Sequence, residues 1–331
     1  MRVGTVCYCT EQGLGRLAKD YYTAGVITDV MLIAHPSYSN HREWYPAGTP
    51  CFKTKDIKGP EVNEFLRDID VVLFFETPFD WSLPLRCKEH GVKTVLMPMY
   101  EWFPRHPSYR QYIDLFLCPS KLDLEYFPNG VYMPVPVDPT WFKLRRQAIR
   151  FLHNAGHIGH RNHKGTEELI KAIPYLKSDV RLTIRSQSDR IYSLLKGNMG
   201  FNQLDVYVGE VPYEALFNDH DVYVAPEKFN GLSLPLQEAY AAGLPVITTK
   251  RFPMNTWLPG ELLIEPESFH EASIYSNLPF QEAVVSPRAI ADKINEWHGL
   301  DIRAYSLRAL EWAQAHSWSA LFPRIMEVLQ P

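Results

Sequence analysis

The feature that most constrains this chain is a set of short, continuously apolar runs, each followed by a segment of helical character. Val71-Val72-Leu73-Phe74-Phe75, Val95-Leu96-Met97 and Leu115-Phe116-Leu117-Cys118 show no alternation of apolar and polar residues. A strand with one wet face would alternate, so these strands are buried on both faces, which is the signature of a parallel sheet covered by helices. The reading predicts strands over 2–8, 30–34, 71–75, 94–97 and 115–118, a glycine turn at 12–15, and helices over 16–24 and 61–69. The same grammar returns after a proline-rich stretch with prolines at 134, 136 and 139. There it predicts strands over 150–154, 180–185, 205–208, 221–225 and 245–248, helices over 166–173 and 234–242, and a helical tail over 287–329 broken near Gly299 and Ser317. A length of 331 residues suits two such domains, 1–140 and 141–331, with the tail able to pack back on the first. Open α/β sheets bind ligands beyond the carboxyl ends of their strands, so the expected site is a cleft between the two domains.

Composition removes several function classes. The net charge is −4, with −3 falling in residues 1–140 and −1 in 141–331, so neither part has the positive excess of a general nucleic-acid binder. No run of about 18 uncharged apolar residues is present to span a bilayer. The N-terminus reads as a first strand rather than a leader. Five cysteines without metal-like pairing point to a reduced, cytoplasmic protein, and Cys7-x-Cys9 has the spacing of strand packing. A nicotinamide oxidoreductase is disfavoured: Gly13-x-Gly15 lacks the final Gly of the dinucleotide fingerprint, with Ala18 where Ala is tolerated, and the second strand closes on Leu32-Ile33-Ala34-His35 with no acidic residue.

The stretch richest in chemistry is 225–247. A strand ends at Ala225, a polar loop carries Glu227, Asn230, Gly231, Leu232 and Ser233, and a helix begins near Leu234. Free N–H groups at such a helix start can bind phosphate. Glu238, in the second turn, can accept hydrogen bonds from ribose hydroxyls. An ordinary strand–loop–helix unit with an exposed glutamate would read the same way.

Residues 234–239 and 242–247, Leu-Pro-Leu-Gln-Glu-Ala and Ala-Gly-Leu-Pro-Val-Ile, resemble the signature of family-4-type glycosyltransferases of the GT-B fold. The pattern there is Glu, seven residues, Glu, Ala, and then small-Gly-x-Pro-Val. The position eight before Glu238 is Asn230, where the family has the glutamate that touches the donor sugar; Glu227 lies three residues earlier. The resemblance implies that Glu238 binds the nucleotide ribose. Gln12-Gly13-Leu14-Gly15 resembles the family's glycine loop after the first strand, which places Gly13 and Gly15 on the donor. The run from Asn154 to His157, with Lys164-Gly165 downstream, resembles the segment whose Arg and Lys grip the diphosphate. Lys164 matches, His157 stands at the Arg position, and Arg161 lies nearby. Tyr207 to Pro212, with Gly209 and Val211, resembles the turn that binds the base.

The resemblance implies two Rossmann-like domains and transfer of a hexose or pentose from a nucleotide-diphosphate sugar, expected to be a UDP-sugar, to an acceptor hydroxyl with retention. The reaction is expected to need neither metal nor cofactor, and no Asp-x-Asp motif stands where a metal would be required. Negative charge growing on the diphosphate would be met by Lys164, Arg161 and the amides after Gly231. The histidine cluster His153, His157, His160 and His163 has irregular spacing that is weak evidence for a metal and better suits phosphate or sugar contact by one of them, with His157 the candidate. Glu76 and Glu101 follow adjacent apolar runs and are the expected catalytic carboxylates on the acceptor side. Trp102, Arg105 and Arg110 sit in an aromatic and cationic loop that suits stacking on an acceptor. That loop keeps a second reading open, transfer to hydroxymethylated bases in DNA, and Asn230 with His157 keeps open a third, a degenerate nucleotide-sugar-binding protein.

Overall fold

The continuous apolar runs form parallel strands. The computed structural model describes residues 1–331 apart from 54, 56, 58, 128, 158–161, 198–200 and 213–214. The chain divides into a first unit of Met1–Val135, Ser273–Pro279 and Trp318–Pro331, and a second of Pro136–Ala272 and Phe280–Ser317.

The first unit holds β1 (Val3–Tyr8), β2 (Asp29–Ile33), β3 (Cys51–Phe52), β4 (Val71–Glu76), β5 (Lys93–Pro98), β6 (Leu115–Cys118) and β7 (Gly130–Tyr132). They lie in the order β3-β2-β1-β4-β5-β6-β7, every pair parallel. Between them run α1 (Gly13–Thr23), α2 (Pro60–Arg67), α3 (Ser82–Glu89) and α4 (Asp123–Tyr126). Residues 71–74 are at most 1% exposed, which is why β4 carries no polar alternation. The strand order reverses between β1 and β4, the switch point at which such sheets bind ligands.

The second unit has β8 (Arg150–Gly156), β9 (Arg181–Ser186), β10 (Leu204–Val208), β11 (Val222–Ala225), β12 (Val246–Thr249) and β13 (Leu263–Ile264) in the parallel order β10-β9-β8-β11-β12-β13. Its helices are α5 (Thr166–Ala172), α6 (Arg190–Leu194), α7 (Leu234–Ala241), α8 (Pro287–Trp297) and α9 (Arg303–Ala315). Successive side chains of β8 feed two cores. Phe151 and Ala155 pack with Leu169, Ile170, Ile290 and Ile294, whereas Leu152 packs with Leu236, Tyr240 and Ala309. That is the period-two geometry of a strand covered on both faces.

Two features depart from the sequence reading. The glycines at 13 and 15 lie in the first turn of α1, not in a turn before it, and Arg16 N donates to Gln12 O at 2.9 Å. A Cβ on Gly15 would overlap the Thr10 backbone, so glycine lets α1 start hard against the end of β1. An antiparallel hairpin, β14 (Ser268–Ala272) and β15 (Phe280–Val284), interrupts the parallel pattern. It was invisible because β14 is largely exposed and carries no apolar face. The tail is three helices, α8, α9 and α10 (Trp318–Val328), with breaks where the sequence placed them, and α10 joins the first unit. There Trp318 meets Tyr21 edge-on at 4.9 Å, and Arg324 donates to Tyr132 O at 2.9 Å. All five cysteines are free, and four are buried. Among the described residues no helix is long and apolar enough to cross a membrane.

Candidate functional site

In the second unit the strand order reverses between β8 and β11, and the loops leaving these two strands are drawn together there. Two glycines permit it. Gly165, at φ 67°, caps α5 where a Cβ would overlap the Pro226 carbonyl oxygen. Gly156, at φ 61°, ends β8 where a Cβ would sit 2.8 Å from the Lys164 Nζ. Both conformations are left-handed and cost any other residue energy. Beneath them His153 is fully buried, with Nδ1 2.8 Å from Val224 O and Nε2 2.8 Å from Thr166 Oγ1. The carbonyl can only accept, so Nδ1 carries the proton and Nε2 accepts from the threonine hydroxyl. Burial lowers its pKa to about 4, which keeps it a neutral bolt between β8, β11 and α5. His153 is therefore a core residue.

Lys164 lies over this junction. Its ammonium reaches Asn154 O at 3.4 Å and, among the described residues, has no carboxylate at ion-pair distance. Burial lowers its pKa, and the more distant Glu227 and Glu238 oppose that shift. A half-buried cation without a bonded anion favours the arrival of one.

The β11–α7 loop is braced from within. Glu227, 1% exposed, accepts from Ser233 Oγ at 2.6 Å and pairs through its other oxygen with Arg251 Nη2 at 2.8 Å. Arg251, from the loop after β12, also donates to Glu227 O at 3.2 Å and Asn230 O at 2.8 Å. Both oxygens of Glu227 thus serve the loop's own structure. Asn230 Oδ1 accepts from Leu232 N at 3.1 Å and Ser233 N at 2.8 Å. The amides expected to meet phosphate are held by this side chain, and Ser233, at φ 49°, caps α7. Glu238 is half-buried on the second turn of α7, close enough to act on the Lys164 ammonium. Beyond β10, Gly209 N donates to Ser186 O at 2.9 Å, and Val211 is half-buried. His157 is half-buried just after Gly156; Arg161 and His160 lie outside the described residues.

In the first unit, Glu76 ends β4 with φ 64°, a strained conformation for a residue with a side chain. Burial, and then the charge of Glu101, raise its pKa to about 7, against a smaller opposing effect of Lys55. Glu101 is 7% exposed in the turn after β5. Sequence reasoning missed Asp123, which follows β6, is 1% exposed, and accepts from Ser120 N at 3.0 Å. Burial raises its pKa, with Glu101 adding to the rise. Its signal was present: Ser120-x-x-Asp123 stands after an apolar run just as Glu76 and Glu101 do. Trp102 and Arg105 are exposed, and Arg110 is half-buried. Gly13 and Gly15 lie across the β1/β4 switch point from Glu76 in strand order. Among the described residues no three His, Cys, Asp or Glu side chains gather as a metal-ligand set.

Residues 151–274 match the family model described as glycosyl transferases group 1. No curated protein matches the chain in sequence. Among solved structures, a glycosyltransferase from Rickettsia africae superposes with a TM-score of 0.69 at 12% identity, covering 99% of this chain and 97% of that one. Anabaena Alr3699/HepE, solved with UDP and glucose, gives 0.68 at 11% identity, covering 99% of each. Sucrose-phosphate synthase from Thermosynechococcus elongatus gives 0.67 at 14%, covering 99% and 98%. The chain thus has the GT-B fold and, over the segment that holds Lys164, the 226–233 loop and Glu238, the sequence pattern of the group 1 glycosyltransferases, as the resemblance to family-4-type enzymes implied.

Proposed function

We propose that this protein is a glycosyltransferase that moves a sugar from a nucleotide-diphosphate sugar, a UDP-sugar first among them, to an acceptor hydroxyl. The observation that carries this reading is the half-buried Lys164 ammonium at the β8/β11 switch point, with no carboxylate at ion-pair distance among the described residues and with Glu238 close enough to act on it. A leaving diphosphate accumulates negative charge as the glycosidic bond breaks, and a cation already held in place stabilises that charge with little reorganisation. Glu238 then accepts hydrogen bonds from the ribose. The match over residues 151–274 and the UDP-bound fold relative support this choice of donor.

Retention of the anomeric configuration is part of the proposal and follows from the resemblance of 234–247. On the acceptor side Glu76 is the preferred proton acceptor, since a carboxyl titrating near about 7 is poised for general-base work at neutral pH. Burial sets that value first, and the charge of Glu101 adds to it. The reaction as proposed runs on protein groups alone, in the cytoplasm, with no cofactor.

The test is a thermal-shift panel of UDP, GDP and ADP with their sugars, followed by labelled-sugar transfer and NMR assignment of the product anomer. Stabilisation by one nucleotide series is expected, because a ligand that binds only the native state raises its stability. No stabilisation by any of them would refute the donor site. One observation favours a second reading. Asn230 occupies the amides of Leu232 and Ser233, which suits a protein that binds nucleotide sugars and turns them over slowly. Tight UDP binding with neither transfer nor donor hydrolysis would select it. The DNA reading predicts transfer to hydroxymethylated duplex that falls steeply with salt, with Arg105 and Arg110 carrying the dependence.

A further inference from the structure

The second unit carries a basic cavity remote from Lys164. It has a volume of about 430 Å³ and is lined by Arg145, Arg146 and Arg150, with Asp221 opposing them in charge and Leu144 and Ile149 as apolar wall. All of these residues belong to the second unit. The segment ahead of β8 shapes the cavity. Ala148 N donates to Leu300 O at 3.0 Å, Ile302 N to Arg146 O at 3.0 Å, and Arg145 N to Ser306 Oγ at 3.0 Å, so the backbone that carries the arginines is fixed. Arg150 opens β8, and Asp221 directly precedes β11. The cavity therefore sits at the amino ends of the two strands whose carboxyl ends lead to Lys164 and the 226–233 loop. The length of β8 puts those ends roughly 20 Å apart.

The charges in this cavity do not cancel. Asp221 is committed to its own neighbours: Oδ2 accepts from Arg150 N at 2.8 Å and Ile149 N at 3.3 Å, and Oδ1 pairs with Arg150 Nη2 at 3.3 Å. Arg145 is 7% exposed. Its Nη2 donates to Phe217 O at 3.1 Å and Ala242 O at 3.5 Å, whereas its Nε is buried with no hydrogen-bond partner. Carbonyls satisfy donors but bring no negative charge, and among the described residues no carboxylate lies at ion-pair distance from Arg145 or Arg146. Burial lowers the Arg145 pKa, as expected of a cation held out of water. Arg146 is exposed and available to a ligand. A guanidinium presents a rigid fork of donors that matches phosphoryl oxygens, and a cavity of this size admits a small phosphorylated molecule. We propose that the cavity is a second anion site, binding a phosphoryl group through Arg145, Arg146 and Arg150, whether that group is free in solution or part of a lipid headgroup. The site is independent of the donor reading, since none of its residues has a part there.

The experiment uses the full chain and inorganic pyrophosphate as probe. Calorimetric titration at constant ionic strength is run on the Lys164→Ala chain, which weakens any contribution from the region around Lys164. Arg146→Gln, Arg146→Lys and Arg150→Gln are then added to that background. Affinity is expected to fall about five-fold or more in Arg146→Gln and Arg150→Gln, and to recover in part in Arg146→Lys, which restores the charge without the fork. Arg146 is exposed, so its variants should keep the near-ultraviolet dichroism and melting temperature of the parent. Hydrogen exchange locates the ligand: pyrophosphate should slow the peptide covering 144–150 and leave that covering 226–234 unchanged. Sedimentation with vesicles of phosphatidylglycerol, against phosphatidylcholine, separates the two sources. Binding to the anionic vesicles alone, lost in Arg146→Gln, assigns the headgroup; binding of pyrophosphate assigns a free phosphoryl ligand. Binding of neither overturns the proposal. Pyrophosphate affinity that is unchanged in both Arg146→Gln and Arg150→Gln also overturns it, because the anion then sits elsewhere. A wild type that binds pyrophosphate at 144–150 but no nucleotide would refute the donor reading and leave this site standing.

Discussion

At the scale of single residues, the charges at the two switch points set the testable chemistry. Glu238→Ala should weaken UDP binding by about 1.5–3 kcal/mol, the range for hydrogen bonds to charged groups, which calorimetry on a folded variant checks. Lys164→Ala should lower turnover by about 10²–10³ while nucleoside binding changes little, because the charge it meets grows in the transition state. Equal losses for uridine and UDP would instead indicate a collapsed loop. Glu76 makes a different prediction. Burial and Glu101 raise its pKa to about 7 in the folded chain, whereas an unfolded glutamate titrates at about 4.3. Between those values the native state holds a proton that the unfolded state has lost. Stability therefore falls as pH rises through that window. Glu76→Gln should flatten the fall and raise stability above about pH 7 by on the order of 1–3 kcal/mol, allowing for partial exposure of the group. Urea midpoints on either side of the window measure it.

At the scale of elements, the close approach of α5 to the 226–233 loop rests on Gly165. Gly165→Ala combines a left-handed φ of 67° with overlap on the Pro226 carbonyl. It should cost about 1–3 kcal/mol of stability and weaken UDP binding together, since backbone rather than a flexible side chain must move. Denaturant titration and calorimetry on the same variant test the pair of effects; a loss of stability with unchanged affinity would separate the helix start from the donor loop. The elements themselves were legible where burial on both faces demanded uninterrupted apolar residues, as in β4 and β6. Short edge strands such as β3 and β7 gave no such signal, and neither did the exposed β14. The braced loop was half legible. Asn230 and Glu227 were visible as residues, but Arg251, which holds Glu227 from a loop twenty-four residues on, carried no local signal.

At the scale of the whole molecule, the first unit is assembled from three separate stretches of chain. Its last stretch supplies buried Leu321, Ile325 and Leu329 and the Trp318–Tyr21 contact. At about 1.5–3 kcal/mol for each fully buried aliphatic side chain, those three residues amount to about 5–9 kcal/mol, comparable with the whole stability of a domain. A fragment of residues 1–135 should therefore lack cooperative unfolding and near-ultraviolet dichroism, and the full chain truncated after Ser317 should lose UDP-independent stability of the first unit. Native dichroism and a cooperative transition in the isolated fragment would contradict this.

The sequence by itself determined the parallel sheets, the helical tail with its two breaks, and the glycosyltransferase-like signature around Glu238. Each of these is written in residues adjacent in the chain, through burial on both faces, helical period or a local motif. Only the tertiary structure decided which partners those residues meet. It showed His153 bolted into the core, Glu227 bound to Arg251, Asn230 turned onto the amides of its own loop, and Asp123 added to Glu76 and Glu101. It also gave the last helix to the first unit. Such outcomes depend on desolvation and on hydrogen-bond partners brought together from distant stretches, and no local pattern encodes where a buried polar group will find its partner.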